Sequence, residues 1–475
     1  MSRTCNGSRL QSPPRSTQGK GSHLQQPVTR MWRVVVVLAL LINSLPLAAQ
    51  PDTQDPRDFS DPVIRSDGRI LRLDIPADVP NPERWRFIPN ERMPEGNVID
   101  RLLITTFISP SLVSVSDIGL GGGIGLTDFD FGNHRRRELL NLWVGYTSEG
   151  QRRVNLGWRR SSGHREVEGR GVLLEERNHI TFRVGHLKTP TRRFFGLGAS
   201  TGEDDETSYS ETVRSISLQL QRTWPDLGAD WVWSIGAEVS RRELGLGSVE
   251  GVENTASTHP ELFQSADDHE ALWLRASLVH DTRDSQHLPY HGLAIGIALK
   301  AAAWSHSRNP GAIVRFLADQ IWTVPPIFHD GGDPNEEHPP TDSIAVSFHL
   351  DDTLGELPFW ALPTLGGAST LRGFISNRWT GESAANAAVE YRPWLLPRGF
   401  PIPFFSRSRV ERFGLALFAE VGTVADSISG LTDSQLHTTA GIGLRFTFER
   451  QALFRADLGF SVEGRQLIIA YGLSF

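Results

Sequence analysis

A serine at the centre of a short glycine motif is the residue whose type and spacing best suit nucleophilic chemistry. Residues 198–202 read GASTG, which fits the G-x-S-x-G pattern of a nucleophile elbow with Ser200 at its centre. That chemistry needs a strand, a strained turn and a helix around the serine, whereas the polar sequence EDDETSYSE follows here. The surrounding sequence therefore argues against a hydrolase, and we predict no catalytic residue.

Metal and phosphate chemistry lack support in the sequence as well. The 15 histidines are scattered, without a pair at helical spacing beside a carboxylate ligand. Residues 121–125, GGGIG, lack the helix and lysine of a phosphate-binding loop and read as a strand in which small residues relieve crowding. We therefore predict neither a metal site nor a cofactor.

An arginine between large apolar residues is the third candidate for a functional residue. Residues 362–379, LPTLGGASTLRGFISNRW, carry Arg372 after Leu371 and before Gly373 and Phe374. Loops that only cross solvent are normally polar, so a cation in this setting indicates a loop held against other parts of the protein. The partners of Arg372 depend on the elements around it.

Composition favours strands and turns over a nucleic-acid-binding protein. The chain of 475 residues has 45 glycines and 29 prolines but only 3 methionines. Its formal net charge is -7, whereas binding to nucleic acid needs a concentrated basic face. We therefore predict a β-rich chain with no nucleic-acid partner.

The N-terminal region carries a secretion signal. Residues 31–50, MWRVVVVLALLINSLPLAAQ, hold one arginine, an apolar run and small residues at the end. The apolar run is shorter than the roughly 20 residues of a spanning helix, so residues 31–49 are predicted to be a signal peptide. Residues 1–30 would bury that signal, which makes them an overextension ahead of a true start at Met31. Cleavage near Ala49 removes Cys5, the only cysteine, and leaves a mature chain that can cross an oxidising periplasm without mispairing.

From about residue 101 to residue 475 the sequence alternates between apolar and polar residues. This period of two predicts half-buried strands. A soluble β-sandwich shows the same pattern, but the signal peptide, strands of roughly 9–11 residues and polar faces of Arg, Gln and Ser favour an antiparallel transmembrane β-barrel. Clear examples are residues 140–146, 154–158, 180–184, 216–220, 293–299 and 442–448.

The final strand ends on an aromatic residue. In RQLIIAYGLSF, alternation puts Leu467, Ile469, Tyr471, Leu473 and Phe475 on one face. A terminal aromatic on a lipid-facing strand suits the girdle at a membrane interface. These residues resemble the C-terminal signal by which outer-membrane barrels are recognised for insertion.

Six motifs, in order, resemble the BamA/TamA outer-membrane assembly-factor superfamily, also called the bacterial surface antigen family. The resemblance covers about residues 103–475 and implies a barrel of about 16 strands in the outer membrane, with the LRGF loop folded into the lumen. It also implies insertion or translocation of proteins, with outer-membrane lipid, unfolded barrel substrates and periplasmic assembly partners. The motifs are FFGLGAST at 194–201, HDTRDSQHLPYHG at 280–292, LRGF at 371–374, AVEYRPWL at 388–395, LFAEVGTV at 417–424 and GIGLRFTF at 441–448.

The sequence departs from the family pattern ahead of the barrel. Assembly and translocation members carry periplasmic POTRA modules, each longer than the segment that precedes the barrel here. Residues 50–100 are rich in Pro, Asp and Arg, and are predicted to be a short periplasmic lead-in or plug segment, not a POTRA. We predict that the protein takes part in the insertion or translocation of outer-membrane proteins; a barrel-only pore or a lipid or solute conduit without insertase activity stays an open alternative.

Alternation combined with the resemblance predicts what holds Arg372. The apolar residues of GLALFAEVG and AANAAVEYR face lipid, which turns Phe418, Glu420 and Glu390 into the lumen. The family's loop arginine contacts acidic residues at these two places, with Glu420 standing where aspartate is more usual. We predict that Arg372 pairs with Glu390, Glu420 or both, and that Phe374 packs near Phe418. The predicted latch comprises Arg372, Gly373, Phe374, Glu390, Phe418 and Glu420.

Overall fold

Sixteen antiparallel strands, formed by the alternating segments of the sequence, close into a barrel in the computed structural model. Each strand pairs with the next along the chain, and the last pairs with the first. The predicted fold class is therefore confirmed. In chain order the strands are β1 Thr106–Val115, β2 Gly119–Asp128, β3 Glu138–Thr147, β4 Arg152–Val167, β5 Gly171–Phe194, β6 Thr207–Trp224, β7 Trp231–Leu246, β8 His269–Asp281, β9 Gly292–Ser305, β10 Ala312–Val324, β11 Asp342–Leu354, β12 Ser383–Arg392, β13 Arg412–Ala425, β14 His437–Phe448, β15 Ala452–Ser461 and β16 Gly464–Tyr471.

The structure describes most of the chain beyond residue 105 and two short pieces before it. The predicted overextension at residues 1–30 and the predicted signal peptide at residues 31–49 lie outside the described residues. The described residues are 68–69, 75–90, 106–132, 137–305, 311–333, 335–336, 339–401, 409–448 and 452–475.

Helices and short strands occupy the connections between the barrel strands and the segment ahead of β1. In the part of the chain that the structure describes, no helix is long and apolar enough to cross a membrane. The α-helices are Thr255–Thr258 and Pro260–Ala266, and the 3-10 helices are Pro82–Arg84, Glu203–Asp205, Phe359–Ala361 and Ser429–Thr432. The short strands are Trp85–Pro89, Glu253–Asn254, Thr364–Leu365, Trp379–Thr380, Trp394–Leu396, Phe400–Pro401 and Arg409–Val410.

Apolar side chains face outward from the barrel and polar ones face the lumen. On β13, Leu417 is 48% exposed, whereas its neighbour Phe418 is 4% exposed. The same alternation exposes Ile216 and Leu218 on β6 and Ile297 on β9. A soluble sandwich would bury these side chains between its sheets, so an apolar outer surface identifies a barrel that faces lipid.

The seam between β1 and β16 is the weakest junction of the barrel. Among the described residues, Ser114 and Ile469 are the one pair in register there. By comparison, β1 and β2 align ten residue pairs, and β15 and β16 align eight. The barrel is thus closed by a short junction between two short strands.

The C-terminus leaves the last strand before the end of the chain. β16 ends at Tyr471, and Gly472 adopts a φ of 76°, in the left-handed region that favours glycine. The ring of Phe475 then lies 5.4 Å from the guanidinium carbon of Arg392. The prediction that Leu473 and Phe475 continue the lipid-facing side of the strand is therefore wrong, because the turn at Gly472 ends the alternation.

Part of the predicted lead-in adds a strand to the barrel wall. Residues Trp85–Pro89 pair antiparallel with the first five residues of β5, from Glu175 back to Gly171. Trp85, Val79 and Leu173 are buried together at this junction. The added strand lies at the end of the barrel where β4 turns into β5.

Candidate functional site

The long connection between β11 and β12, residues 355–382, carries the LRGF motif. At its centre the N–H of Phe374 donates to the carbonyl of Leu371 at 2.9 Å, which closes a tight turn. Leu371 adopts a φ of 45°, a conformation that is uncommon for a residue with a branched side chain. Its side chain is fully buried, so packing around the turn stabilises this backbone.

Arg372 is fully buried and surrounded by carboxylates. Its backbone N–H donates to Glu420 Oε2 at 2.6 Å, and its Nε donates to Glu420 Oε1 at 2.8 Å. Its Nη1 donates to Glu390 Oε2 at 2.8 Å and to Asp457 Oδ2 at 3.0 Å. The predicted pairing with Glu390 and Glu420 is therefore present, and a guanidinium suits it because its planar fork engages several oxygens at once.

Three further arginines complete a buried ion network around the loop. Arg445 donates to Asp457 and, at 3.0 Å, to Glu390 Oε1, while Arg392 Nε donates to the same Glu390 oxygen at 2.9 Å. Arg455 donates to Asp457 as well. Each of the carboxylates Glu390 and Asp457 thus serves three arginines. We call Arg372, Arg392, Arg445, Arg455, Glu390, Glu420 and Asp457 the latch network.

Asp457, Arg392, Arg445 and Arg455 were missing from the predicted latch, although the sequence holds a signal for them. Arg445 lies between Leu444 and Phe446 in an alternating segment, which already turns it inward. Arg445 and Arg455 face each other directly in the β14–β15 register. Like charges at opposite positions disfavour a strand pair, so an inward carboxylate such as Asp457 could have been sought nearby.

Two glycines allow the loop to lie directly on β15. A Cβ at Gly373 would come within 2.6 Å of the carbonyl of Phe460, and one at Gly459 within 2.4 Å of the carbonyl oxygen of Arg372. Ser461 Oγ also donates to the Gly373 carbonyl at 2.9 Å. The glycine of the LRGF motif is therefore required by close approach of two backbones.

Phe374 does not pack where the sequence predicted. Among the described residues its ring contacts are with Trp379, at 4.5 Å between centroids, and His437, at 6.2 Å. The Phe418 ring instead faces the Arg372 guanidinium, whose carbon lies 3.5 Å from the ring centroid. The expected contact is wrong because the cation covers the face of the Phe418 ring.

The segment that contains Ser200 packs against the C-terminal part of the loop, around Arg378 and Thr380. The N–H of Gly198 donates to the Thr380 carbonyl at 2.8 Å, and Arg378 Nη2 donates to the Thr201 carbonyl at 2.8 Å. Ser200 itself is exposed, and a 3-10 helix and then β6 follow it. The GASTG motif therefore contributes to holding the loop.

The lumen face of β4 to β11, which we call the open side, is built differently. Arg315 on β10 bonds both oxygens of Asp351, at 2.6 and 2.8 Å, yet its side chain is 52% exposed. Arg275 on β8 bonds Glu238 at 2.6 Å and is 45% exposed. Among the described residues, no group of three His, Cys, Asp or Glu side chains is arranged to hold a metal ion.

The fold and the loop together define a class of protein. A closed barrel with an apolar outer surface and a loop anchored inside its lumen is a transmembrane β-barrel protein. Residues 140–467 match the Omp85 superfamily domain. This match spans more than half of the chain, and the chain belongs to the Omp85 superfamily, whose barrels lie in the outer membrane of Gram-negative bacteria.

Solved structures of similar shape include two kinds of barrel. BamA from Haemophilus ducreyi lacking POTRA domains 1–3 matches with a TM-score of 0.49 and 15% identity, over 78% of this chain and 70% of that one. CdiB from Acinetobacter baumannii matches with a TM-score of 0.44 and 12% identity, over 85% and 72%. CdiB from Escherichia coli matches with a TM-score of 0.48 and 11% identity, over 77% and 62%. The search of curated proteins gave no match.

Proposed function

We propose that this protein inserts or translocates other proteins at the outer membrane. Its substrates in this proposal are unfolded barrel proteins, and it works in contact with outer-membrane lipid and with periplasmic assembly partners. The observation that carries the proposal is the seam, where the described residues of β1 and β16 have a single pair in register.

A seam with one pair in register leaves the rest of both strands open to another strand. Exposed strand edges pair readily with an incoming segment, because their N–H and C=O groups lack partners. Inside a bilayer this tendency is stronger, since unsatisfied backbone groups are costly in hydrocarbon. The seam is therefore the place where a strand of a substrate could join the barrel wall.

The latch network supports the proposal by holding the barrel together beside the seam. Arg372 joins the loop to Glu390 on β12, Glu420 on β13 and Asp457 on β15. β15 is the last strand before β16, so these bonds end one strand away from the seam. We propose that the latch keeps β12 to β15 fixed while the seam strands separate.

A disulfide across the seam tests this function. The double variant Ser114→Cys/Ile469→Cys places two thiols at directly opposite positions of β1 and β16. We expect oxidation to lower the rate at which the purified protein assembles an unfolded barrel protein into liposomes by roughly tenfold or more, and reduction to restore it. Disulfide formation is measured by the shift in gel mobility.

A disulfide one strand away is the matched control. The variant Ala456→Cys/Ile469→Cys uses the same residue of β16 but joins it to β15, with which it is already well paired. This variant should keep its activity when oxidised. If the oxidised seam variant is as active as this control, or the protein without a disulfide has no assembly activity, the proposed function is wrong.

A passive conduit is the second candidate function. It is favoured by the exposed lumen side chains of Arg275 and Arg315, which show that water reaches one side of the barrel interior. Oxidation of the seam variant distinguishes the two candidate functions, because a locked seam would leave conduction through the lumen unchanged.

A further inference from the structure

A row of residues that includes three cations crosses the lumen face of β4 to β9, and we call it the basic row. Its members lie directly opposite one another on six consecutive strands, so they form one continuous line across the sheet. Three of the six are cationic and none is acidic. The row runs Arg159, Thr181, Gln219, Gly236, Arg275 and Lys300, on β4 to β9.

Alternation places this basic row inside the barrel. Leu274 and Leu299 face outward and are exposed to the lipid side, so their neighbours Arg275 and Lys300 face the lumen. Arg183, which is also exposed, lies two residues beyond Thr181 on the same face of β5. The lumen wall therefore carries four cations within two adjacent lines of residues.

The carboxylates near the basic row already have partners, among them Glu176, which lies near Arg159 and 4.0 Å from Arg86. Glu238 is bonded to Arg275 at 2.6 Å, and Asp351 is bonded to Arg315. Within the described part of the chain, neither Arg183 nor Lys300 forms an ion pair. The Lys300 ammonium lies 4.4 Å from the centroid of the Trp273 ring, a contact that leaves its charge uncompensated.

Arg275 and Lys300 are directly opposite each other on β8 and β9. Like charges at opposite positions destabilise a strand pair unless a counter-charge lies between or beside them. Glu238 balances one of the two cations and leaves the other without a carboxylate. A mobile anion in the lumen would supply the missing charge.

We propose that this wall makes the lumen a pathway selective for small inorganic anions, with chloride as the simplest example. Rings of arginine and lysine select anions in pores, because they raise the local anion concentration and repel cations. The exposed fractions of Arg275 and Arg315, 45% and 52%, show that solvent reaches the wall that would attract these ions. This inference does not depend on the insertion activity.

Conductance in planar bilayers tests the proposal. With a gradient of KCl across a bilayer that contains the full-length mature protein, we expect a zero-current potential of the sign set by chloride. The variant Arg183→Gln/Lys300→Gln removes two lumen cations that form no ion pair, and it should lower the chloride-to-potassium permeability ratio by roughly threefold or more.

The control removes the same two charges from the outer surface. Lys188 and Arg222 are exposed and share the outward faces of β5 and β6 with Val184 and Ile216. The variant Lys188→Gln/Arg222→Gln should leave the permeability ratio unchanged. Heat-dependent migration on gels establishes that both variants are folded. Absence of ion current, a cation-selective current, or equal ratios in the two variants would each overturn the proposal.

Discussion

The two sides of the lumen use arginine in opposite ways. On the latch side, Arg372 and Arg445 are buried and share their carboxylates with other arginines. On the open side, Arg275 and Arg315 each have one carboxylate and remain about half exposed. The LRGF turn explains the difference, because it lies against β12, β13 and β15 and excludes water from the carboxylates there.

This contrast shows that the contribution of an ion pair to the free energy of unfolding depends on the water around it. Exposed pairs contribute about 0–1 kcal/mol, because solvent competes for both charges. Buried pairs are costly to break, since the partner that stays behind is a buried charge without compensation. Ion pairs of similar length on the two sides of the lumen are therefore expected to differ in how much free energy of unfolding is lost when they are broken.

The most severe test of the contrast is Glu390→Gln. Glu390 is fully buried and accepts bonds from Arg372, Arg392 and Arg445. Removing its charge leaves three guanidinium groups close together, and we expect a loss of about 3–5 kcal/mol in the free energy of unfolding. Urea titration of the protein in detergent micelles, followed by tryptophan fluorescence, measures this loss.

The Glu390→Gln variant must form a folded barrel before its stability is compared. Far-UV circular dichroism of the variant before urea is added establishes that its barrel has formed. A loss below 1 kcal/mol in a folded variant would mean that water reaches the latch network, and the contrast between the two sides would disappear.

A smaller effect is expected from crowding the loop against β15. Gly373→Ala places a methyl group within 2.6 Å of the backbone of Phe460. The loop must move away from β15, and we expect a loss of about 1–3 kcal/mol together with faster cleavage of residues 355–382 by protease. Stability in urea and limited proteolysis measure the two effects.

Gly157→Ala on the open side is the matched control for this crowding. A Cβ at Gly157, on β4, would meet no atom within 4 Å. The variant should therefore be as stable and as resistant to protease as the unchanged protein. Equal effects of the two substitutions would show that the loop is not packed tightly on β15.

The sequence revealed the wall of the barrel more completely than it revealed the contacts within it. A period of two depends only on neighbouring residues, so the strands and the inward direction of Glu390 and Glu420 were predictable. The pairing of Arg372 with these two residues followed once the family resemblance was added. Asp457 was missed because it depends on where the loop tip meets a third strand, far along the chain.

Two other differences have causes that a period of two does not reveal. Phe475 leaves the lipid side because a single glycine, Gly472, turns the backbone after β16. Trp85 joins the wall of β5 through pairing with Glu175, a contact between distant segments that no periodic pattern reveals. Turns with left-handed φ and long-range pairings were thus the parts of the structure that the residue pattern left undetermined.

The smallest effect is expected from Asp351→Asn, which replaces a carboxylate with an amide just as Glu390→Gln does. Asp351→Asn removes the charge from a carboxylate that bonds Arg315 at two positions, at 2.6 and 2.8 Å. Because the Arg315 side chain is 52% exposed, water replaces the lost partner, and we expect a change of only about 0–1 kcal/mol in the free energy of unfolding. The same urea titration measures it. A loss as large as that for Glu390→Gln would mean that the wall of β10 and β11 is as dry as the latch network, and the proposed path for anions along that wall would then lack the water it requires.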